Sequence, residues 1–183
     1  MHVMDDKLID EYIAKIRKES KVGLNLGCGT KLVEGLINCD LYNPKADKKL
    51  DALALFEFKD ESVDLVEAHH LIEHFSYAER AEALKEWHRV LKPEGYLILS
   101  CPDFDKFMSH MYGMGKINWQ IIEMYVYGGQ DTPGQFHKSC HTPSYLTEIL
   151  KRAGFEAVMI LPNFPYRPTP SFGIVARKEK KDG

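Results

Sequence analysis

The chain has 183 residues, which at about 150 residues per domain predicts a single domain. Hydrophobic residues make up 44% and charged residues 28%, so the chain can bury a core. The net charge of −3 disfavours a protein that binds nucleic-acid duplexes, because such proteins normally carry a basic excess.

The sequence also points to a compartment. No apolar run reaches the about 18 residues of a membrane span, and residues 1–10 lack the apolar stretch of a signal peptide. The four cysteines lie far apart in the chain, as is typical of reduced thiols rather than of a disulfide framework. We therefore expect a cytoplasmic protein without membrane association.

A helix and short strands are predicted in the first part of the chain. Residues 5–20 carry apolar side chains at helical spacing, which predicts an N-terminal helix. The apolar run Val22–Leu26 stops at Gly27-Cys28-Gly29, a pattern typical of a buried strand that ends in a tight turn. Further short strands are predicted at residues 36–39, 48–53 and 63–68.

The rest of the chain alternates helices and strands. Ser76 and Glu79 form the capping box of a helix that residues 92–95 terminate. The other predicted elements are a strand over 96–101, a helical stretch over 104–128 that breaks near Gly113 and Gly115, a polar loop over 130–142, a helix that begins at Thr142-Pro143, and strands over 155–161 and 172–176.

This alternation predicts an α/β fold in which a mostly parallel, doubly wound sheet carries helices, with the last two strands able to pair antiparallel. Only about nine residues separate Leu26 from the second strand, and about as few follow Asp40, whereas a helical crossover needs about 10–12. The first two crossover helices are therefore expected to be short or absent. Either the N-terminal helix or a partner subunit in a homodimer then covers that face of the sheet.

Three strand ends suit a nucleoside ligand. The glycines at 27 and 29 let a ligand approach the backbone closely. Asp40 ends the second strand, where its carboxylate can accept hydrogen bonds from ribose, and Asp51-Ala52 follows the third, where an adenine edge would lie. The dinucleotide fingerprint requires a further glycine where this chain has Leu32, so we expect a nucleoside without phosphate.

These residues resemble those of the class I S-adenosylmethionine-dependent methyltransferases, and the resemblance runs over nearly the whole chain. The matching segments are the first glycine motif (Gly27-Cys28-Gly29), the ribose-binding acid (Asp40), the adenine motif (Asp51-Ala52), the fourth strand (Ser62–Val66) and the turn into the fifth strand (Arg89–Tyr96). Asn25 departs from the family, which usually has an acid there to help place the amino acid part of the methyl donor.

The resemblance implies one Rossmann-like methyltransferase domain over residues 1–183, with a seven-stranded sheet whose last strand is antiparallel. It also implies S-adenosylmethionine as the cofactor and residues 104–142 as an insert on the acceptor side. The implied cofactor-binding residues are Asn25, Gly27, Cys28, Gly29, Asp40, Leu41, Asp51, Ala52 and His69.

The sequence constrains the acceptor less. Adenine- and amide-modifying members of the family often carry an Asn/Asp-Pro-Pro-aromatic motif after strand four, but residues 68–71 of this chain read Ala-His-His-Leu. An oxygen acceptor benefits from a general base, and a histidine suits neutral pH. The candidate catalytic residues are His137 and His141, which lie in the loop expected to cover the acceptor side.

We expect no resident metal ion, although His70, Glu73 and His74 offer an alternative. This segment resembles the Glu-x-x-Glu-His metal motif of small-RNA 2′-O-methyltransferases and of ubiquinone-pathway O-methyltransferases, with His70 in place of the first carboxylate. His137 or His141 could supply a fourth ligand. A divalent metal bound there would lower the pKa of an acceptor hydroxyl.

The predicted function is S-adenosylmethionine-dependent O-methylation of a small polar or sugar-like acceptor, since the chain is too short for a large recognition domain. One alternative is methylation of an RNA or a nucleotide, which the net charge disfavours. The other is a protein that binds S-adenosylmethionine without transferring its methyl group. We expect a small-molecule partner and no nucleic acid.

Overall fold

A computed structural model describes residues 6–113, 118–162 and 170–180 of the chain. The strands are β1 (Gly23–Leu26), β2 (Ile37–Asp40), β3 (Lys48–Lys49), β4 (Val63–His69), β5 (Leu91–Pro102), β6 (Phe155–Leu161) and β7 (Ser171–Lys178). The α-helices are α1 (Asp6–Glu19), α2 (Tyr77–Val90), α3 (Phe104–Gly113), α4 (Trp119–Tyr127) and α5 (Pro143–Arg152). Within these ranges, none of the helices has the length and apolar character that crossing a membrane demands.

The strands form one sheet in the order β3-β2-β1-β4-β5-β7-β6. Strands β1 to β5 run parallel, whereas β7 lies antiparallel between β5 and β6. This arrangement confirms the predicted Rossmann-like sheet of seven strands with an antiparallel last strand. The jump from β3 back to β1 and then to β4 places the carboxyl ends of β1, β2 and β4 together at one edge, where ligands bind in such sheets.

Local capping signals fix the helix ends as predicted. The hydroxyl of Ser76 accepts a hydrogen bond from the Glu79 amide, and the Glu79 carboxylate accepts one from the Ser76 amide, which completes the capping box of α2. Thr142 caps α5, with Pro143 in its first turn. Helix α3 ends at Gly113, one of the two glycines of the predicted break. The other, Gly115, lies outside the described residues.

Two strand boundaries differ from the prediction. Strand β3 has only two residues instead of the predicted 48–53, because Asp51 forms a turn in which its carboxylate accepts the amide of Leu53. Strand β5 begins at Leu91, ahead of the residues that were predicted to separate it from α2. Leu91 pairs with Val63, and the register shifts before the pairing resumes at Tyr96.

The N-terminal helix covers the face that the missing crossover helices leave open. Residues 27–36 and 41–47, all of which are described, contain turns and no helix, as predicted. Ile13 and Ile16 of α1 are buried in one apolar cluster with Leu65, Ile98 and Val175 of the sheet. Helices α2 and α5 pack on the opposite face, within the larger core. The sequence left two alternatives for covering this face, the N-terminal helix or a partner subunit, and the structure shows that the N-terminal helix covers it.

One buried ion pair joins α1 to the centre of the sheet. Glu67, on β4, is fully buried and faces α1. The Arg17 guanidinium donates to both of its carboxylate oxygens, at 2.7 Å each, in a bidentate pair. This contact and those with His69 outweigh the effect of burial and lower the pKa of the Glu67 carboxyl.

Removal of the Arg17 charge would leave the Glu67 carboxylate buried without its strongest partner. We expect Arg17→Met, which keeps an apolar stem against the sheet, to lower the free energy of unfolding at pH 7 by about 2–3 kcal/mol, as measured by urea denaturation. Adding Glu67→Gln to that variant removes the uncompensated charge and should recover part of the loss. Purely additive effects of the two substitutions would contradict the pairing.

Candidate functional site

The sheet register brings three predicted cofactor residues side by side. Leu26 pairs with Cys39 on one side and with Ala68 on the other. The residues that follow these three, Gly27, Asp40 and His69, therefore emerge at the same edge of three neighbouring strands. Asp51 lies two residues beyond the Asp40–Lys49 pair, at the end of β3.

The carboxylate of Asp40 organises the glycine turn, residues 27–29. One oxygen accepts a hydrogen bond from the Gly29 amide at 2.8 Å, and the other accepts from the amides of Tyr42 and Asn43. Gly27 has a φ of 60°, and a Cβ atom there would lie 2.7 Å from the Leu71 side chain. A residue other than glycine would be strained at this position and would collide with Leu71.

A buried amide network takes the place of the first crossover helix. The Asn25 side chain donates to the carbonyl of Lys31 and to the Asn38 side chain, at 3.0 Å each. The Asn38 amide group also binds Val33 and the carboxylate of Asp47. Asn25 is therefore engaged in holding loop 27–36, and its predicted contact with the donor remains a prediction.

Sequence reasoning missed Asn38 and Asp47. A polar residue in the middle of a short buried strand, between Ile37 and Cys39, was the available signal. Such a residue must satisfy its hydrogen-bonding groups within the protein. No local pattern, however, identified Asp47 as its partner.

The other predicted cofactor residues lie around this edge with different exposures. Cys28 is buried, and burial raises the pKa of its thiol. Leu41 and Asp51 are exposed. Ala52 is buried, and its carbonyl accepts a hydrogen bond from the Trp87 indole at 2.9 Å. These positions are compatible with a nucleoside laid across the strand ends.

The imidazole of His69 is held between two side chains. Its Nε2 lies 3.1 Å from Glu67, which as a carboxylate can only accept a hydrogen bond. Its Nδ1 lies 3.1 Å from the hydroxyl of Ser100. These two contacts place the ring proton on Nε2, so that Nδ1 accepts a hydrogen bond from the hydroxyl of Ser100. The ring thus connects the strand ends at Gly27 and Asp40 to the Arg17–Glu67 ion pair.

Just after β4, the chain brings together Glu73, His74 and His137, here called the histidine–carboxylate group. Their ligand atoms lie within 4.8 Å of one another. His74 and His137 each place Nδ1 near a backbone carbonyl, that of Phe136 at 3.0 Å and that of Tyr125 at 2.7 Å. Glu73 is 2% exposed. Two of these residues, Glu73 and His74, belong to the predicted alternative of His70, Glu73 and His74, and His137 is one of the two histidines predicted to join them.

His70 lies behind this group. Its Nδ1 is 3.1 Å from Oε1 of Glu73, and its Nε2 is 3.4 Å from the hydroxyl of Ser171. Burial raises the pKa of the Glu73 carboxyl, but the imidazoles of His70 and His74 outweigh it, so the net shift is downward. The carboxylate is therefore ionised at neutral pH.

The two predicted catalytic histidines lie in different surroundings. Burial lowers the pKa of His137, one ring nitrogen of which lies within 4.8 Å of ligand atoms of Glu73 and His74. His141 is 2% exposed, and burial together with the charge of Arg80 lowers its pKa to about 4. Its Nε2 lies 3.0 Å from Ser139, whereas its Nδ1 has no hydrogen-bond partner among the described residues. At neutral pH both rings are uncharged.

The predicted acceptor-side insert, residues 104–142, is part core and part surface. Tyr125 is buried and stacks on Phe107, with ring centroids 3.7 Å apart. Trp119, Tyr127 and Phe136 are exposed. The exposed rings are available to a ligand, and the stacked pair fixes α4 against α3.

Comparisons with known proteins agree with this geometry. Residues 28–99, from the glycine turn to β5, match the family described as methyltransferase domain. A comparison of the sequence with curated proteins gives no match.

Solved structures share the fold over nearly the whole chain. A SAM-dependent methyltransferase from Methanosarcina mazei is 21% identical over 93% of this chain and 98% of its own, with a TM-score of 0.69. One from Archaeoglobus fulgidus is 18% identical over 95% of each chain, with a TM-score of 0.64. A possible histamine N-methyltransferase from Thermotoga maritima is 21% identical over 94% of this chain and 97% of its own, with a TM-score of 0.58. At these identities the likeness establishes the fold.

The buried, neutral His141 makes the stability depend on pH. An unfolded chain binds a proton at His141 below pH 6.5, but the folded chain binds it only near pH 4. Between these values the free energy of unfolding should fall by up to about 1.4 kcal/mol per pH unit for this proton as the pH is lowered. We expect His141→Phe to lose less stability between pH 7 and pH 4.5 than the unmodified protein, by urea denaturation.

The exposed His110 provides the matched control. His110→Asn should keep the pH dependence of the unmodified protein. A stability difference between His141→Phe and the unmodified protein that is the same at pH 7 and at pH 4.5 would contradict the assignment.

Proposed function

We propose that this chain is a class I S-adenosylmethionine-dependent methyltransferase and that it transfers a methyl group to a hydroxyl oxygen of a small polar or sugar-like acceptor. Its match to a methyltransferase domain over residues 28–99 and its fold support this proposal. The methyl donor would lie across the glycine turn and Asp40. The acceptor would meet it at the histidine–carboxylate group. Different residues support the proposed donor site and the proposed acceptor site.

The proposed donor site lies at the edge of the sheet formed by Gly27, Asp40 and His69. Asp40 already accepts three backbone hydrogen bonds, which fix the turn before a ligand arrives. A carboxylate has about four lone-pair positions, so one remains for a ribose hydroxyl. A site that is organised in advance binds without the cost of ordering its loop. The remaining predicted contacts are Asn25, Cys28, Gly29, Leu41, Asp51 and Ala52.

One observation carries the choice of oxygen as the acceptor atom: the histidine–carboxylate group offers proton acceptors only. Glu73 is ionised, and the Nδ1 atoms of His74 and His137 donate to carbonyls, so the free positions are lone pairs. A hydroxyl must lose its proton as it attacks, whereas a neutral amine already has a nucleophilic electron pair. A Cβ atom placed on Gly27 would lie 2.7 Å from Leu71, two residues before Glu73, so Gly27 of the proposed donor site lies close to a residue that neighbours the proposed acceptor site along the chain.

The proposed reaction is an in-line displacement at the methyl carbon. The acceptor oxygen forms the new C–O bond with its electron pair, and the C–S bond breaks. Its electrons remain on sulfur, which changes from a sulfonium to a neutral thioether. The hydroxyl proton passes to the histidine–carboxylate group. Alignment and exclusion of water supply most of the rate enhancement, since the donor is already activated.

Acceptor size and setting follow from the surroundings. The predicted acceptor-side insert spans only residues 104–142, which supports a small acceptor rather than a polymer, and the net charge of −3 supports an acceptor other than nucleic acid. All four cysteines are free thiols, which supports the reducing cytoplasm as the compartment. A homodimer remains part of the proposal, although α1 already covers the thin face of the sheet.

Two rival functions are separable by experiment. An RNA or nucleotide methyltransferase would transfer label to oligonucleotides, and a purely donor-binding protein would transfer it to no acceptor. Transfer to amines in preference to alcohols would place the chain with nitrogen methyltransferases and overturn the choice of oxygen.

Donor binding tests the role of Asp40. In Asp40→Asn an amide group replaces one acceptor oxygen, so the Gly29 amide, the amides of Tyr42 and Asn43, or the ribose loses its partner. We expect calorimetry to give one saturable site for S-adenosylhomocysteine on the unmodified protein. The variant should bind at least tenfold more weakly, which corresponds to about 1.4 kcal/mol.

The control is Asp60→Asn, which changes an exposed carboxylate that pairs with Arg89, away from the donor edge. It should bind S-adenosylhomocysteine like the unmodified protein. Absence of binding to folded unmodified protein would refute the donor assignment, and equal affinity in Asp40→Asn would remove Asp40 from the site.

A substitution of His137 tests the proposed acceptor site. We expect His137→Gln, which keeps a polar side chain but loses the imidazole lone pair, to lower kcat for transfer to a hydroxyl acceptor at least tenfold. The affinity for S-adenosylhomocysteine should change less than twofold. The measurement is transfer of radiolabelled methyl groups to a panel of sugars, polyols, phenols and amines, and a parallel loss of donor affinity would point to misfolding instead.

A further inference from the structure

We propose that a groove between α2 and α5 is a binding site for a small organic anion, in which a carboxylate or a phosphate is joined to a flat apolar body. The groove, here called the Arg80 groove, has a volume of about 400 Å³. Pockets of this size commonly hold small molecules. None of its lining residues belongs to the proposed donor site or to the histidine–carboxylate group, so the anion site does not depend on methyl transfer.

Helical spacing forms the two walls of the Arg80 groove. One wall runs along α2 from Tyr77 to His88, and the other runs along α5 from Tyr145 to Ala153, at positions that recur every three or four residues. Such positions share one face of a helix. Leu84 is buried and Ile149 is half-buried between these ends, so the groove offers an apolar surface to the body of a ligand.

Arg80 is a buried cation in the wall of this groove. The residue is 4% exposed, and it forms no ion pair with a carboxylate among the described residues. Its guanidinium donates a hydrogen bond to the hydroxyl of Tyr145 at 3.2 Å, and within the described ranges its other N–H groups have no acceptor. A buried charge costs free energy unless its surroundings compensate it. An anion in the groove would supply the missing counter-ion.

Two tyrosines hold the guanidinium of Arg80 in place. Its central carbon lies 5.6 Å from the centroid of the Tyr77 ring and 5.5 Å from that of the Tyr145 ring. These cation–π contacts compensate part of the cost of burial, but they supply no negatively charged oxygen. A guanidinium binds a carboxylate or a phosphate through two parallel hydrogen bonds. Both tyrosine rings are exposed, so they are also available to the flat body of the ligand.

The other charged residues of the groove also favour an anion. Lys85 is exposed in the α2 wall, and Arg152 lies in the α5 wall with Glu148, whose carboxylate pairs with it. Because Glu148 and Arg152 compensate each other, Arg80 and Lys85 leave the groove with an excess of positive charge. This excess is local, since the chain as a whole has a net charge of −3. A cleft lined by one sign of charge attracts ligands of the opposite sign.

One end of the groove lies close to the acceptor side of the sheet. The ring of Tyr145 stacks on that of His141, with centroids 6.1 Å apart and an angle of 19° between the planes. His141 in turn lines a small cavity together with Glu73 and His137. An anion on Arg80 would therefore contact a tyrosine that packs against His141, which makes the His141 ring a reporter of binding.

The test is a titration of the full chain with 2-naphthyl phosphate and with 2-naphthoate, in Tris chloride, followed by the fluorescence anisotropy of the naphthyl group. We expect one saturable site per chain. The matched neutral probe, 2-naphthol, should bind at least about tenfold more weakly, because it lacks the charge that pairs with Arg80. The ratio of the two anion affinities distinguishes a phosphate ligand from a carboxylate ligand.

Two substitutions and one control locate the anion. Arg80→Gln removes the charge and should weaken binding of both anions at least about tenfold. Ala81→Trp places a large ring in the groove from an exposed position and should weaken binding by a similar factor while it keeps Arg80. The matched control, Ala78→Trp, changes an exposed residue of the same helix outside the groove and should bind like the unmodified protein. If Arg80→Gln fails to fold, Ala81→Trp still tests the site.

A second measurement needs no substitution. Addition of 2-naphthyl phosphate should shift the NMR signals of the His141 ring, which packs on Tyr145, and leave those of the exposed His110 ring in place. Failure of both anions to bind at millimolar concentration would overturn the inference, as would equal affinities for the anions and 2-naphthol. Unchanged binding in Ala81→Trp, or displacement of the anions by S-adenosylhomocysteine, would place them outside the groove and would also overturn it.

Discussion

The hydrogen bonds of Asp40 and Asn38 are the constraint on which the candidate site depends. In a doubly wound sheet, helices usually cover the connections that leave the first strands, but here loops make both connections. A loop cannot satisfy its backbone within itself as a helix does. The side chains of Asp40 and Asn38 do so instead, by binding amides and carbonyls of residues 27–43. The glycine turn keeps its shape because two strand residues hold it.

The two faces of the sheet are covered unequally because loops replace the first two crossover helices. One face packs on α2 and α5 through a large apolar core, whereas the other has α1 and little else. On that thinner face a buried ion pair between Arg17 and Glu67 connects α1 to β4, and His69 continues the contact toward the donor edge. Arg17 of α1 is therefore connected to the candidate site through two side chains, those of Glu67 and His69.

The acceptor end is built differently, from groups that accept protons and from a loop that returns late in the chain. Glu73 and His74 follow β4, and residues 136–139 fold back onto them through backbone hydrogen bonds. The donor edge is polar and fixed by carboxylate-to-amide contacts. The proposed acceptor end carries the buried carboxylate of Glu73, which suits the proposed reaction, because its nucleophile loses a proton as it attacks a cationic donor.

How much the sequence could predict depended on the range of the interactions. Capping residues such as Ser76, Thr142 and Pro143 act within one turn, so the starts of α2 and α5 were predictable. The glycine turn and Asp40 were found for the same reason, since strand ends carry local signals.

Pairings between distant segments could not be read from the sequence. Arg17 meets Glu67 across two layers, and Asp47 meets Asn38 only after the chain has folded. His137 and His141 were both candidates for a place beside Glu73 and His74, and which of them reaches that place depends on how the loop after α4 returns to β4. The short length of β3 was also not predicted, because the carboxylate of Asp51 binds the amide of Leu53 and forms a turn where the strand was expected to continue.

The most direct test is a crystal structure of the protein grown with S-adenosylhomocysteine. We expect the ribose to lie on Asp40 and the sulfur to point toward Glu73, His74 and His137. A nucleoside bound away from the glycine turn would contradict the donor site. A sulfur atom directed away from Glu73 would contradict the acceptor site, even with the nucleoside in place.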